Sequence, residues 1–90
     1  MVASMITSAQ IRAARFALGW TAQTLAERAG VASRTVLRIE AAAGLPATTL
    51  GTMQKLKTAL EAAGIEFIGT PDDAPGIRIH QPAPERARDL

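Results

Sequence analysis

The stretch TLAERAGVASRTVLRIEA, residues 24–41, decides the fold. Leu25, Ala26 and Ala29 fall at helical spacing, the pattern stops at Gly30, and it resumes after the turn "GVA" with Val36 and Ile39. Two short helices joined by a glycine-containing turn are implied. In the second of them Val36, Ile39 and Glu40 share one face, while Ser33, Arg34, Leu37 and Arg38 share the other. Each inward residue has a packing reason: Ala26 is small where the helices cross, Val31 plugs the turn, and Val36 and Ile39 lock the second helix down. The outward four have none.

The flanking segments supply the partners these helices need, since a helix of about eight residues does not persist alone in water. Upstream, Thr7 and Gln10 stand at capping-box spacing and Ile6 and Ile11 at that of a hydrophobic staple. Ile11, Ala14 and Leu18 continue the apolar period to Gly19, predicting a helix over 8–18. Thr21 is the expected N-cap of the next helix, with Trp20 and Leu25 placed as its staple. Downstream of "AAAG", Gly44 is the expected stop of the third helix (about 33–42) and Pro46 bars its continuation. Leu50, Met53, Leu56, Leu60 and Ala63 then mark a fourth helix, capped by Thr48 or Thr49 and ended by Gly64, with Lys55, Lys57 and Glu61 outside.

The period changes after Gly64. "IEFIG" (65–69) and "GIRIH" (76–80) read as short strands separated by the turn-rich "TPDDAP". They pair either within the chain, capping the helices, or between two copies through Ile65, Phe67, Ile68, Ile77 and Ile79. Residues 81–90, "QPAPERARDL", have two prolines, alternating charge and no apolar face, and read as a disordered tail. The chain thus divides into a helical unit at 1–64, a strand-like dimerisation or capping appendage at 65–80, and the tail. The expected class is mostly α, a four-helix bundle with a short C-terminal β-hairpin or strand.

Composition narrows the chemistry. Ninety residues make one small domain, and with no cysteine neither disulfides nor thiolate metal sites can form. No run of about eighteen apolar residues exists and the N-terminus lacks the regions of a secretory signal, so a cytoplasmic location without membrane attachment is expected. Net charge is only +2, but residues 1–70 hold seven Lys/Arg against four Asp/Glu, and residues 71–90 hold three against four. The basic surplus lies in the helical unit, which suits nucleic acid. His80 has no second histidine, Asp72 and Asp73 read as loop residues, Trp20 as a packing residue and Arg28 as a solvated one. No nucleophile–base set or phosphate loop appears, so no enzyme, metal or cofactor is expected.

From Ile6 to Phe67, and above all over "LGWTAQTLAERAGVASRTVLRIEA" and "LKTALEAAGIEFI", the sequence resembles the Cro/CI-like (XRE-type) helix-turn-helix regulators related to the lambda repressor. The resemblance implies a lambda-repressor-like bundle that binds double-stranded operator DNA with paired half-sites as a homodimer, most often as a repressor. It implies a buried Arg15–Glu40 ion pair and base contacts from Ser33, Arg34, Leu37 and Arg38 in the third helix; arginine's fork suits guanine O6 and N7, and Leu37 a thymine methyl. Backbone contacts are implied for Thr21, Ala22 and Gln23, for Thr35, and for Thr48 and Thr49, with Arg12, Lys55 and Lys57 in support. Two family features are replaced. Ala22 stands where glutamine usually braces phosphate, and Ala32 where Ser or Thr usually caps the recognition helix, leaving Ser33 as an alternative cap. The fifth helix of the phage repressors gives way to the strand-like end. An antitoxin-like protein-interaction module, binding a protein partner through residues 65–90, is the alternative from a different class.

Overall fold

The computed structural model describes residues 6–80; the tail expected at 81–90 lies outside them. Four helices are followed by a two-stranded antiparallel sheet: α1 (Ser8–Leu18), α2 (Ala22–Ala29), α3 (Ser33–Ala41), α4 (Leu50–Ala62), β1 (Ile65–Thr70) and β2 (Asp73–Ile79). Among the described residues no helix is long and apolar enough to cross a membrane.

Local chemistry sets the helix starts. Thr7 Oγ1 accepts from Gln10 N at 3.1 Å and Gln10 Oε1 accepts from Thr7 N at 2.8 Å, completing the capping box. Thr21 and Thr49 cap α2 and α4 through Thr24 N and Thr52 N. Thr49, not Thr48, is therefore the cap of α4. Ala32 stands at the N-cap of α3 and offers no side-chain bond; Ser33 is the first helical residue and does not cap. Gly30 closes α2 at φ 75°, a left-handed conformation that costs glycine little, and Gly30 N and Val31 N both donate to Ala26 O.

The end of α3 departs from expectation. The helix stops at Ala41, with Ala42 already extended, and Gly44 is a loop residue three positions on. Side chains of α1 take the carbonyls that a glycine stop would have satisfied. Ser8 Oγ donates to Ile39 O at 2.7 Å, and Arg12 Nη1 donates to Glu40 O. In return Gly44 O accepts from Ser8 N at 2.9 Å, filling one of the open amides of α1.

A single apolar cluster joins all four helices and the sheet. Ile11 and Ala14 of α1, Leu25 and Ala26 of α2, Val36 and Ile39 of α3, and Met53, Leu56 and Leu60 of α4 are buried together with Ile6 and Ile65. Burial of each large side chain contributes roughly 1.5–3 kcal/mol, which holds helices too short to persist alone. Leu50, expected in this series, is instead 68% exposed. A helical side chain leans over the turn before it, and Leu50 begins α4 with no earlier helical turn beneath it.

The strands pair within the chain, Ile65 opposite Ile79 and Phe67 opposite Ile77, with an irregularity between Ile68 and Thr70. Pairing reaches Thr70 and Asp73, so the loop shrinks to Pro71 and Asp72 rather than spanning 70–75. Proline holds φ near −65° (roughly), so this loop cannot supply the positive φ of the usual two-residue hairpin turns. Positive φ appears on either side instead, at Gly69 (76°) and Ala74 (53°). Of the two pairings left open by the sequence, this is the one within the chain, and it uses most of the surface that pairing between copies would have needed. Ile65 is buried in the core, Phe67 and Ile77 pack against it, Ile68 is half-buried, and only Ile79 is exposed. Gln10 fastens the hairpin to α1, its Nε2 donating to Ile68 O at 3.2 Å and Gly76 O at 2.8 Å.

Candidate nucleic-acid interface

Burial sorts α3 into two faces. Val36, Ile39 and Glu40 are buried; Ser33, Arg34, Leu37 and Arg38 are exposed, and Thr35 is half-buried at the margin. Leu37 keeps 58% of its surface in water although apolar positions were available to bury on the same helix. The four residues singled out from the sequence therefore form one continuous outward surface.

That surface is held by an ion pair. Arg15 Nε and Nη2 donate to Glu40 Oε2 and Oε1, both at 2.8 Å, and Nη1 donates to Trp20 O at 3.0 Å. The pair is bidentate and the side chains are only 14% and 7% exposed, so its geometry offsets the cost of removing both charges from water. The hydrogen bonds to Glu40 raise the guanidinium pKa of Arg15 above its ordinary value, opposed by burial. Arg15 thereby locks α1, the start of α2 and the end of α3 into one frame.

The two exposed arginines differ. Arg38 Nη1 donates to Ala47 O at 3.1 Å, linking α3 to the loop before α4. Arg34 has no hydrogen bond or ion pair among the described residues, and its fork is open to a partner from outside. Arg28, expected to be merely solvated, lies over the Trp20 ring at 4.9 Å, a cation–π arrangement. Trp20 itself is half-buried against the core, as a packing residue.

The positions assigned to backbone contact are placed unevenly. At α2, Ala22 packs its methyl against the core, leaving its first-turn amide and that of Gln23 without an i−4 carbonyl in the helix. Gln23 Nε2 points along the helix to Glu27 Oε2 at 3.4 Å rather than forward. Thr21 and Thr49 use their hydroxyls as caps, and Thr48 is half-buried. Arg12 is half-buried with one donor committed to α3, a capping role that its position in the sequence did not signal. Lys55 is exposed; Lys57 is mostly buried and bonds Glu61 at 2.6 Å, so it is tied within the chain. Ser8 was missed, because its partner is thirty-one residues away and no local spacing marks it.

No protein-family model matches the chain, and no curated protein matches it at a significant level.

Proposed function

We propose that the chain is a sequence-specific DNA-binding transcription regulator of the Cro/CI-like type, with a lambda-repressor-like arrangement of its helices and α3 as the reading helix in the major groove. The observation that carries this reading is the division of α3: one face is buried by Val36 and Ile39, and the other presents Ser33, Arg34, Leu37 and Arg38 together. A helix held from behind with a protruding arginine fork matches the depth and donor–acceptor pattern of the groove. The open amides at the starts of α2 and α4 suit flanking phosphates. The protein works in the cytoplasm, without a cofactor, on paired half-sites as a homodimer, and most simply represses by occupying a promoter.

The test is a titration against the DNA upstream of its own gene, followed by selection from random duplexes, at physiological salt with nonspecific competitor. A selected site should be bound with a steep salt dependence. Arg34→Ala should reduce affinity for that site by about five- to a hundredfold while nonspecific binding changes little. Failure to select any site would overturn the reading in favour of a protein-interaction module, for which the exposed Ile79 at the end of β2 is the natural starting point.

A further inference from the structure

A cleft of about 210 Å³ opens where the α1–α2 turn and α2 meet the end of α4. Trp20 and Arg28 line it from the first two, and Ala59, Ala62 and Ala63 from the last. None of the residues assigned to DNA belongs to it. Its lining is apolar except for one cation. Arg28 is exposed, lies over the Trp20 ring at 4.9 Å, and makes no hydrogen bond or ion pair among the described residues. All five of its guanidinium donors are left for a partner.

The chain leaves its hairpin beside this cleft. His80 N donates to Gly64 O at 2.7 Å, and Gly64 directly follows Ala63 of the cleft wall. The next residues are Gln81, Pro82, Ala83, Pro84 and Glu85. Five extended residues span up to about 17 Å, so a start this close to the wall brings all of them within reach of it. We propose that Pro82–Glu85 of the same chain seats in the cleft, with its prolines against the Trp20 ring and the Glu85 carboxylate on the Arg28 guanidinium.

The chemistry of the segment fits. Proline is held near its extended form in advance, so laying its ring on an indole costs little further order, as when proline-rich segments dock in aromatic-lined grooves. Such a contact needs no apolar helix or strand face, which this segment lacks. Charge singles out Glu85. Glu40, Glu61 and Glu66 are paired with Arg15, Lys57 and Arg78, and Glu27 bonds Gln23. Asp72 and Asp73 stand at the far end of the hairpin, five strand steps or roughly 17 Å from Ile65. Glu85 is the first carboxylate the chain offers after leaving β2, and in an extended chain Arg86 points the other way. Seated so, the segment ties α2 and the turn before it to the end of α4, whether or not α3 reads DNA.

Trp20 is the sole tryptophan and the chain has no tyrosine, so its emission reports on this cleft. The experiment is acrylamide quenching of the full chain without DNA, from low to several hundred micromolar, with circular dichroism to check that each variant is folded. Glu85→Lys and Pro82→Gly/Pro84→Gly should each raise the quenching constant about twofold, since reversing the charge or removing the rings empties the cleft. Asp89→Lys should not. Arg28→Glu/Glu85→Lys should be quenched less than Arg28→Glu alone, because the exchange restores an attractive pair. Equal quenching in wild type, Glu85→Lys and the glycine variant overturns the proposal. So does an exchange no better protected than Arg28→Glu, or an Asp89→Lys as strongly quenched as Glu85→Lys. Protection that appears only with rising concentration gives the cleft to a second copy and overturns it as well.

Discussion

Arg38 reaches Ala47, its Nη1 donating to the carbonyl oxygen at 3.1 Å, while Arg34 one turn earlier holds no partner among the described residues. The two arginines that look alike in sequence are therefore set apart by the loop that precedes α4. One braces the frame and the other is left open.

Removing the brace should loosen the loop and the first turn of α4. In Arg38→Ala, amide exchange at Thr52 and Met53 should accelerate about three- to tenfold, the loss of one modest hydrogen bond. Arg34→Ala should leave those amides unchanged. Equal rates in wild type and both variants would mean that the Arg38 bond holds nothing.

The Arg15–Glu40 pair should behave as a buried unit. Glu40→Ala strands the guanidinium and should cost about 3–5 kcal/mol in urea unfolding. Arg15→Met/Glu40→Leu should recover much of that loss, since both desolvation costs vanish together. Additive losses in the double variant would show the two side chains to be energetically independent.

An unfilled cap offers a gain. Ala32 begins α3 without a side-chain acceptor, so Ala32→Ser should raise stability by about 1 kcal/mol. A thermal midpoint that does not rise would place the cap's partner amide already at its optimum.

The hairpin should respond oppositely at its two left-handed positions. Gly69→Ala brings a Cβ to 2.2 Å from Ala74 O at φ 76°, and should destabilise β1–β2 by about 1–3 kcal/mol. Ala74→Gly relieves a positive φ and should stabilise it by up to about 1 kcal/mol. Denaturant midpoints moving in the same direction would contradict this backbone argument.

Acid should weaken the same hairpin at Glu66. The His80 hydrogen bond holds the Glu66 carboxyl below the ordinary value of 4.5 against an opposing desolvation, with the charge of Arg78 in support. As pH falls through that value the unfolded chain takes up a proton before the folded one does. The contribution is therefore fully present above it and is lost as pH falls toward the lowered folded value. The group is exposed, so the effect is small; a proton titration of β2 by NMR should show it in wild type and not in Glu66→Gln.

Much of the helical frame was legible because its signals are local. Thr7 with Gln10, Thr21 before α2 and Gly30 after it act on amides or carbonyls within four residues, so spacing alone identifies the partner. The division of α3 was legible for the same reason, since a period of 3.6 assigns every residue a face. Gln10 shows the boundary. Its Oε1 bond to Thr7 was readable, whereas its Nε2 bonds to Ile68 and Gly76 span more than fifty residues and were not.

By itself, then, the sequence determined where the helices begin, which sides of α1, α2 and α3 face inward, and which four side chains α3 presents. Tertiary structure decided where α3 ends, because Ser8 and Arg12 of α1 supply donors to its last carbonyls and make a glycine stop unnecessary. It decided that the strands pair within one chain, with Ile65 spent on the core, and that Leu50 stands in water. It also decided which arginine is free. Each of these depends on groups brought together from distant parts of the chain, where the choice of partner follows from packing rather than from spacing.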